Sequence, residues 1–597
     1  TRDSANPQKL AGINTDYIIP SVDCVSYELD NIDGPWARGI FRHLRPTFHA
    51  ELAEGKTFVI AGTGFGTGSS REMAVIGMLR AAKDAGQEGN LVIVCGSDIG
   101  PIFRKNAIIG GLHVLQSDLA VADAKDGDRF EFDPNTRTLK NITQGKVYRE
   151  GHEILPFTPA ERIIYLSGGM LDLYKALDFP NARRRRPKAR SDATVFDRMS
   201  VAQRILTLNQ VFPGEAVVPG KSVHVRPHMA GVSDGTAPHA IWVFHKFTEG
   251  KSEFPPLALA IGQDHFDPSF ADDYARNTQF STDFAARWGI RHPWYTGFGE
   301  GIIHFVWSHN GLVIPGTVAV GADSHTTTAG AYGAYGVGVG SSELGMAIAL
   351  GYFRLDVLAN ERITFRGRLG EWVTGKDVIL RLTSDRRVGE DRYPGAEGRA
   401  VEYHDPGGAL SAGMRHTISN MGAEFNAPVS IFVNDPVTDA FMRHIGVQGY
   451  PHGVVLPGPN AEYVRSDEFD LSGLVPMVAR PYHPGASVPA EEVARERRFI
   501  DQAAIGSCTE GTIDAMLMGA LVIHMAQKGG MARVAAPNRR SGEGNVQFIV
   551  TPGSHHVARL LDKPHSLLDG RTPREVYESA KAIIAKPSCQ NCFLKES

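Results

Sequence analysis

Lys56-Thr-Phe-Val-Ile-Ala61 leads directly into Gly62-Thr-Gly-Phe-Gly-Thr-Gly-Ser-Ser-Arg-Glu72, and a helical pattern follows through Leu79 and Ala82. An apolar run, a glycine loop and an amphipathic stretch predict strand, turn and helix in that order. A second apolar run, Leu91–Cys95, follows a glycine-containing turn, so the segment reads as an α/β unit. Glycines at alternate positions let a ligand approach the backbone closely. A helix starting at Ser69 or Ser70 would aim free N–H groups at an anion, with the fork of Arg71 beside them. A carboxylate or phosphate suits such a loop; the bland alternative is a turn that lets helix and strand pack. The loop ends Gly-Ser-Ser-Arg rather than Gly-Lys-Ser/Thr, and the acidic residue expected about 20 residues on is missing, Cys95-Gly-Ser-Asp98 coming too late. Neither a P-loop nor a dinucleotide fold is therefore expected.

Further out, Asp178-Phe-Pro-Asn-Ala-Arg-Arg-Arg-Arg-Pro-Lys-Ala-Arg-Ser-Asp192 breaks the periodic pattern. Two prolines and a run of arginines without interleaved aromatics read as a solvated linker rather than a nucleic-acid patch. The expected division is a small unit over 1–178, a linker over 179–192 and a large unit over 193–597. In the large unit, strand-like stretches (Thr317–Val320, Val429–Val433, Val546–Val550) alternate with helical ones (Ser342–Tyr352, Thr512–Met525, Pro573–Ile584), predicting several α/β layers. A chain of 597 residues has room for about three to five domains. Its 65 glycines exceed the usual ~7% and indicate many tight turns. With 42% hydrophobic and 21% charged residues and a net charge of −4, it is neither disordered nor built for nucleic acid or an anionic membrane. No uncharged apolar run approaches the ~18 residues of a membrane span. No secretory leader is visible, so a cytoplasmic location is expected, or a mitochondrial matrix if a transit segment has been removed.

Two further groups of residues carry chemistry. The first is Asp264-His265, His304, Asp323-Ser324-His325 and Glu402. A carboxylate beside a histidine fixes its tautomer and tunes it as an acid or base. Each of these alone reads as an ordinary polar residue, but glycine and small residues surround them, in Gly299-Glu-Gly-Ile-Ile-His304 and in the stretch from His325 to Glu343. The second group is cysteine: Cys24, Cys95, Cys508, Cys589 and Cys592, too few and of odd number for a disulfide framework. Cys589-Gln-Asn-Cys592 reads as half a zinc site, a redox pair or chance. With Cys508 it also suits a four-iron cluster held at three corners, whose fourth iron stays open as a Lewis acid. The three signals meet in the dehydration of a hydroxy acid. A serine oxyanion supported by loop amides and Arg71 takes a C–H proton, the open iron polarises the hydroxyl, and a carboxylate-oriented histidine protonates the leaving group.

On these residues the sequence resembles the aconitase superfamily, most closely isopropylmalate isomerase. The small unit is similar to the isomerase small subunit, a swivelling domain, through Asn14-Thr-Asp-Tyr-Ile-Ile-Pro20, Phe65-Gly-Thr-Gly-Ser-Ser-Arg-Glu72 and Asp98-Ile-Gly-Pro-Ile-Phe103 with Asn106. The large unit resembles the large subunit through Asp234-Gly-Thr-Ala-Pro238, Asp264-His265, Gly301-Ile-Ile-His304, Pro315-Gly316, Gly321-Ala-Asp-Ser-His-Thr326, Lys376-Asp377, Glu402-Tyr403, Asn420-Met421 with Glu424, Gly506-Ser-Cys-Thr509, Pro552-Gly-Ser554 and the closing Cys-x-x-Cys. The fold implied is α/β, three modules around an iron–sulfur cluster plus a separate swivelling domain, here placed first.

The resemblance implies a hydro-lyase that isomerises a small hydroxy di- or tricarboxylate through dehydration and rehydration. It makes Ser69 the base and Asp264 and His265 the dyad that protonates the departing hydroxyl. His304, Asp323, Ser324, His325 and Glu402 surround substrate and open iron, and Asp16 stands near the site. Ser70 and Arg71 bind the substrate carboxylate, in a loop whose Gly66 and Gly68 admit it, and Cys508, Cys589 and Cys592 hold a [4Fe-4S] cluster. Glu510 stands where the family usually has Asn, Ser233 where His or Gln is usual, and Met73 where His is usual. In the family a segment with substrate-binding arginines follows the C-x-x-C; Asn538-Arg-Arg540 precedes Pro552-Gly-Ser554 and is not its counterpart by order, so the last module is expected to be short. Competing readings are a one-way dehydratase of a specialised pathway, a cluster-free RNA-binding relative and an inactive paralogue.

Overall fold

The computed structural model describes residues 10–67, 72–97, 99–176, 196–248, 257–386, 394–481, 483–496, 498, 500–530, 547–580 and 582–584. The expected linker over 179–192, the loop residues Gly68, Ser69, Ser70 and Arg71, and the pair Cys589 and Cys592 lie outside the described residues. The chain divides into two compact units.

Unit 1 comprises residues 1–185 with 235–253 and 340–350. Its centre is a parallel sheet: β1 (Phe58–Ala61), then helix α1 (Glu72–Asp84), β2 (Val92–Cys95), helix α2 (Pro101–Gly110) and β3 (His113–Gln116), in the order β1-β2-β3. The two apolar runs read from the sequence are thus adjacent strands, registered Phe58 to Val92 and Ala61 to Cys95. β2 is buried along its whole length, as a central parallel strand requires. α1 buries Ala74, Val75, Met78, Ala81 and Ala82, a three-and-four spacing that turns one helical face to the core. Pro101 opens α2 and Gly111, left-handed at φ 79°, closes it. An antiparallel sheet follows, β4 (Phe130–Asp133), β5 (Thr138–Asn141) and β6 (Lys146–Tyr148). Two helices from beyond the arginine run, Ala237–Thr248 and Ser341–Leu350, belong to this unit. They bring the fully buried His239 and the Ser342 N–H, which donates to the Glu72 carboxylate at 2.9 Å.

Unit 2 contains three parallel sheets, the three α/β modules. The first comprises β7 (Met229–Ser233), β8 (Leu259–Gly262), β9 (Tyr295–Thr296), β10 (Val318–Gly321) and β11 (Tyr335–Gly338), ordered β9-β8-β7-β10-β11, with helix α3 (Ile303–His309) before β10. The second follows as β12 (Ala359–Arg366), α4 (Gly375–Asp385), β13 (Arg399–His404), α5 (Ala412–Asn420), β14 (Val429–Phe432), α6 (Pro436–His444) and β15 (Arg465–Asp470), with strands ordered β14-β13-β12-β15. The third is β16 (Gln502–Ile505), α7 (Ser507–Glu510), α8 (Ile513–Lys528), β17 (Gln547–Val550) and β18 (Ile583–Ile584). The stretch Pro573–Ile584, expected as one helix, ends its helix at Ser579, and the β-branched pair Ile583–Ile584 joins β17 opposite Ile549 and Val550. The small-residue stretch after His325 becomes a 3-10 turn, Ser324–Tyr332. A Cβ on Gly330 would stand 1.7 Å from the Ser430 carbonyl oxygen of β14, so glycine there sets how closely the first two modules of unit 2 approach. Among the described residues no helix is long and apolar enough to cross a membrane.

Candidate active site

In the first sheet of unit 2, β8 and β9 are added on one side of β7, and β10 and β11 on the other. Ligands of open parallel sheets bind at the carboxyl ends of strands where the order reverses in this way. Here β7 ends at Ser233 before Asp234, β8 at Gly262 before Asp264-His265, and β10 at Gly321 before Asp323. Three acidic residues and a histidine meet there because three consecutive strand ends point the same way.

Asp234 is fully buried and organises the turn after β8: it accepts the N–H groups of Asp264 at 3.2 Å, His265 at 2.9 Å and Phe266 at 2.9 Å. Asp264 accepts the Ile303 N–H at the start of α3 at 2.9 Å and lies 2.6 Å from His265 Nδ1. Oδ1 therefore fixes the orientation of the His265 ring, while Oδ2 ties the pair to the start of α3. Burial pushes the His265 imidazole down, but Asp264, Asp234 and Asp323 outweigh it and hold it up at about 10. Ligand atoms of Asp234, Asp264 and His265 all lie within 4.8 Å of one another; the backbone and imidazole hydrogen bonds already occupy them as a device for orientation.

A second chain of contacts continues from Asp323. Its Oδ1 lies 2.9 Å from His304 Nε2 and accepts the His325 N–H at 2.8 Å, and its Oδ2 is 3.8 Å from His265 Nε2. Burial raises the Asp323 carboxyl, yet His304 and His325 hold it well below the usual carboxylate range. His325 Nε2 is 2.9 Å from Glu424 Oε1, and the Ser324 hydroxyl is 3.4 Å from His325 Nδ1. Burial lowers His325, while Cys508 and Glu424 lift it well above an ordinary imidazole. The Cys508 thiol is buried at the head of the short α7, 3.8 Å from Asn420 Oδ1, and the Cys508 carbonyl accepts from His416 Nε2 at 2.8 Å. Pro552-Gly-Ser554 joins the same region, with the Gly553 carbonyl accepting the Ile302 N–H at 2.9 Å.

Asp264, His265, His304, Asp323, Ser324 and His325 thus come together, with Cys508 beside them. Glu402 does not join them. It is fully buried in the middle of β13, accepting the Ala202 N–H at 3.2 Å and the Tyr463 hydroxyl at 2.8 Å. The carboxylate that pairs with His325 is Glu424, present in the quoted motifs but not assigned a role there. The signal was the Asn420-Met421-x-x-Glu424 spacing, with Asn420 closing α5 and Glu424 in the turn that follows. Asp16 is exposed in the short helix Thr15–Ile18 of unit 1. Gly66 has φ 71°, and a Cβ on it would meet the Phe103 ring at 2.4 Å, so its glycine is required by packing.

Residues 256–596, more than half of the chain, match the aconitase family (aconitate hydratase). The 3-isopropylmalate dehydratase large subunit of Aquifex aeolicus (strain VF5) is 32% identical over 396 residues, 66% of this chain and 85% of the relative. Large subunit 1 of Pyrococcus furiosus is 33% identical over 66% of the chain and 86% of the relative, and the large subunit of Nitratidesulfovibrio vulgaris is 37% identical with the same coverage. A strand-end array of paired acids and histidines in an α/β scaffold, together with these matches, makes the chain a member of the aconitase family and a hydro-lyase similar to isopropylmalate dehydratase.

Proposed function

We propose that this hydro-lyase depends on a [4Fe-4S] cluster and isomerises a small hydroxy di- or tricarboxylate, isopropylmalate-like or citrate-like, by removing and re-adding water. Cys508, Cys589 and Cys592 would hold the cluster. The free, buried thiol of Cys508 beside Asn420 and His325 fits one thiolate corner. When bound, the cluster supplies an open Lewis-acidic iron for the substrate hydroxyl.

The observation that carries the reading is the Asp264–His265 pair, 2.6 Å apart, with His265 held protonated by three carboxylates. A half-buried imidazolium with one nitrogen fixed by Asp264 is a loaded proton donor for a poor leaving group such as hydroxide. Asp323 keeps His304 and His325 oriented through Oδ1, and Glu424 supports the positive charge on His325. The positive charges on His265 and His325 favour an anionic substrate and the enediolate charge that grows as the C–H proton leaves. By the resemblance, Ser69 takes that proton, Ser70 and Arg71 bind a carboxylate, and Asp16 belongs to the same set, in a small-subunit-like swivel domain. The Asp405, Asp435 and Arg415 network shapes the second module instead and takes no part.

Anaerobic reconstitution with iron and sulfide, then ultraviolet detection of the unsaturated intermediate, tests the proposal with 2-isopropylmalate, citrate and their homologues. One of these is expected to give the intermediate and then its hydrated isomer. A cluster-loaded protein that turns over none of them overturns the reading, and an intermediate that is never rehydrated identifies a one-way dehydratase.

A further inference from the structure

The second parallel sheet of unit 2 repeats the reversal that builds the reaction site. β13 and β14 lie on one side of β12 and β15 on the other, the arrangement that leaves a crevice at the strands' carboxyl ends. A cleft of about 490 Å³ lies there, lined among others by Arg362, Thr364 and Arg366 of β12, His404 of β13, Asn434 after β14 and Glu468 of β15. Register places these groups on one face, Thr364 pairing with both His404 and Glu468. The opposite face carries Ile363, Phe365, Tyr403 and Phe432 into the core. Parallel sheets are ordinarily covered on both faces, yet here Arg366 and Glu468 remain exposed.

Most charges around the cleft are already matched. Asp405 and Asp435 hold the buried Arg415 at 2.9 and 2.7 Å, Asp467 is 2.8 Å from Arg386 and 2.7 Å from Arg465, and Glu468 is 2.8 Å from Arg366. Three groups are left over. Arg362 makes no ion pair among the described residues; its guanidinium lies over the Tyr463 ring, 5.0 Å from the centroid. His404 Nε2 and Asn434 Oδ1 are buried without a hydrogen-bond partner among the described residues. The acid nearest His404, Glu402, is 3.6 Å away, and its oxygen already accepts from Tyr463. A cation without an ion pair, an imidazole nitrogen and an amide oxygen without hydrogen bonds, on residues that line one crevice, are the polar set that orients a small ligand in a pocket of this size.

We infer that this cleft is a second small-molecule site, distinct from the reaction site, that takes a small oxyanion, a carboxylate or a phosphate, on Arg362 and His404, with a hydroxyl or amine of the same ligand donating to Asn434 Oδ1. Arg362 offers the planar fork that matches either oxyanion. None of its residues belongs to the reaction chemistry, so the inference stands or falls apart from the proposed activity.

Hydrogen exchange at residues 399–406, 432–436 and 462–468 tests it, with inorganic phosphate and acetate titrated separately into the intact chain, Arg362→Met and Arg362→Lys. The expected result is saturable protection in the intact chain, with affinity falling about tenfold or more in Arg362→Met and less in Arg362→Lys. Whichever anion binds more tightly identifies the head group. Turnover without added phosphate is expected to be unchanged in both variants. No saturable protection up to about 50 mM anion, or equal affinity in a variant whose unfolding midpoint matches the intact chain, overturns the inference. Protection that rises with protein concentration without any anion makes the cleft a contact between copies and overturns it equally.

Discussion

At the scale of single residues, the site is a problem of holding protons. His265 faces three acids, and burial alone would strip its proton; the acids win because Asp264 is in direct contact at 2.6 Å. A group held up at about 10 stays protonated through neutral pH and is lost as an acid only when pH rises towards that value. Asp264→Asn keeps the shape and removes the charge, so the alkaline limb of kcat should move to lower pH by roughly one to three units. The turnover that remains at neutral pH is expected to fall by roughly 10²–10⁴-fold. A pH–rate profile checks this; an alkaline limb that does not move means that another group delivers the proton.

At the scale of elements, Glu72 shows how a helix start can depend on another segment. It opens α1, is buried, and receives the Ser342 N–H from the helix Ser341–Leu350. Burial raises its carboxyl from 4.5 to about 7, against the hydrogen bonds from Ser342, with Glu343 adding to the rise. His239 lies 3.8 Å away, itself pushed down to about 3 by burial, so it supplies no compensating charge. Between the unfolded value and about 7 the folded state binds more protons than the unfolded one, and stability falls as pH rises through that window. The loss should reach at most about 3 kcal/mol and level off at higher pH. Glu72→Gln should remove this dependence while leaving the rest of the profile in place. Urea unfolding of both proteins at pH 5 and pH 8 measures it; identical slopes with pH would contradict the assignment.

The apolar run after the Gly62 loop was readable as a strand because a central parallel strand must be hydrophobic on both faces, which leaves a continuous apolar run in the sequence. The end of the helix begun at Pro573 was not readable. Ile583 and Ile584 continue a helical pattern locally, and only their pairing with Ile549 and Val550 makes them a strand. Likewise Glu402 and Glu424 are both acids close to family motifs. What separates them is where their elements run: β13 carries Glu402 into a buried contact with Tyr463, and the turn after α5 carries Glu424 to His325.

At the scale of the whole molecule, the motifs read from the sequence fall in both units. Unit 2 brings together the acids, the histidines and Cys508, and unit 1 carries the glycine loop. Cys508→Ser, reconstituted anaerobically, is expected to lose bound iron and turnover together while its urea unfolding midpoint stays close to that of the apo-protein, since the substitution nearly preserves volume. Iron analysis and visible absorbance check it. Full iron retention would remove Cys508 from the ligand set.

The sequence by itself determined the class of fold and the family, because strand periodicity, the glycine loop and the Asp-His spacing are local patterns that need no partner to be read. Tertiary structure alone decided which carboxylate pairs with which histidine, that Asp234 anchors the turn holding the dyad, and that the second sheet opens a cleft of its own. The reason is geometric: a side chain's charge is fixed by its identity, but its proton affinity and its partners depend on groups that the chain brings alongside from residues tens to hundreds of positions away.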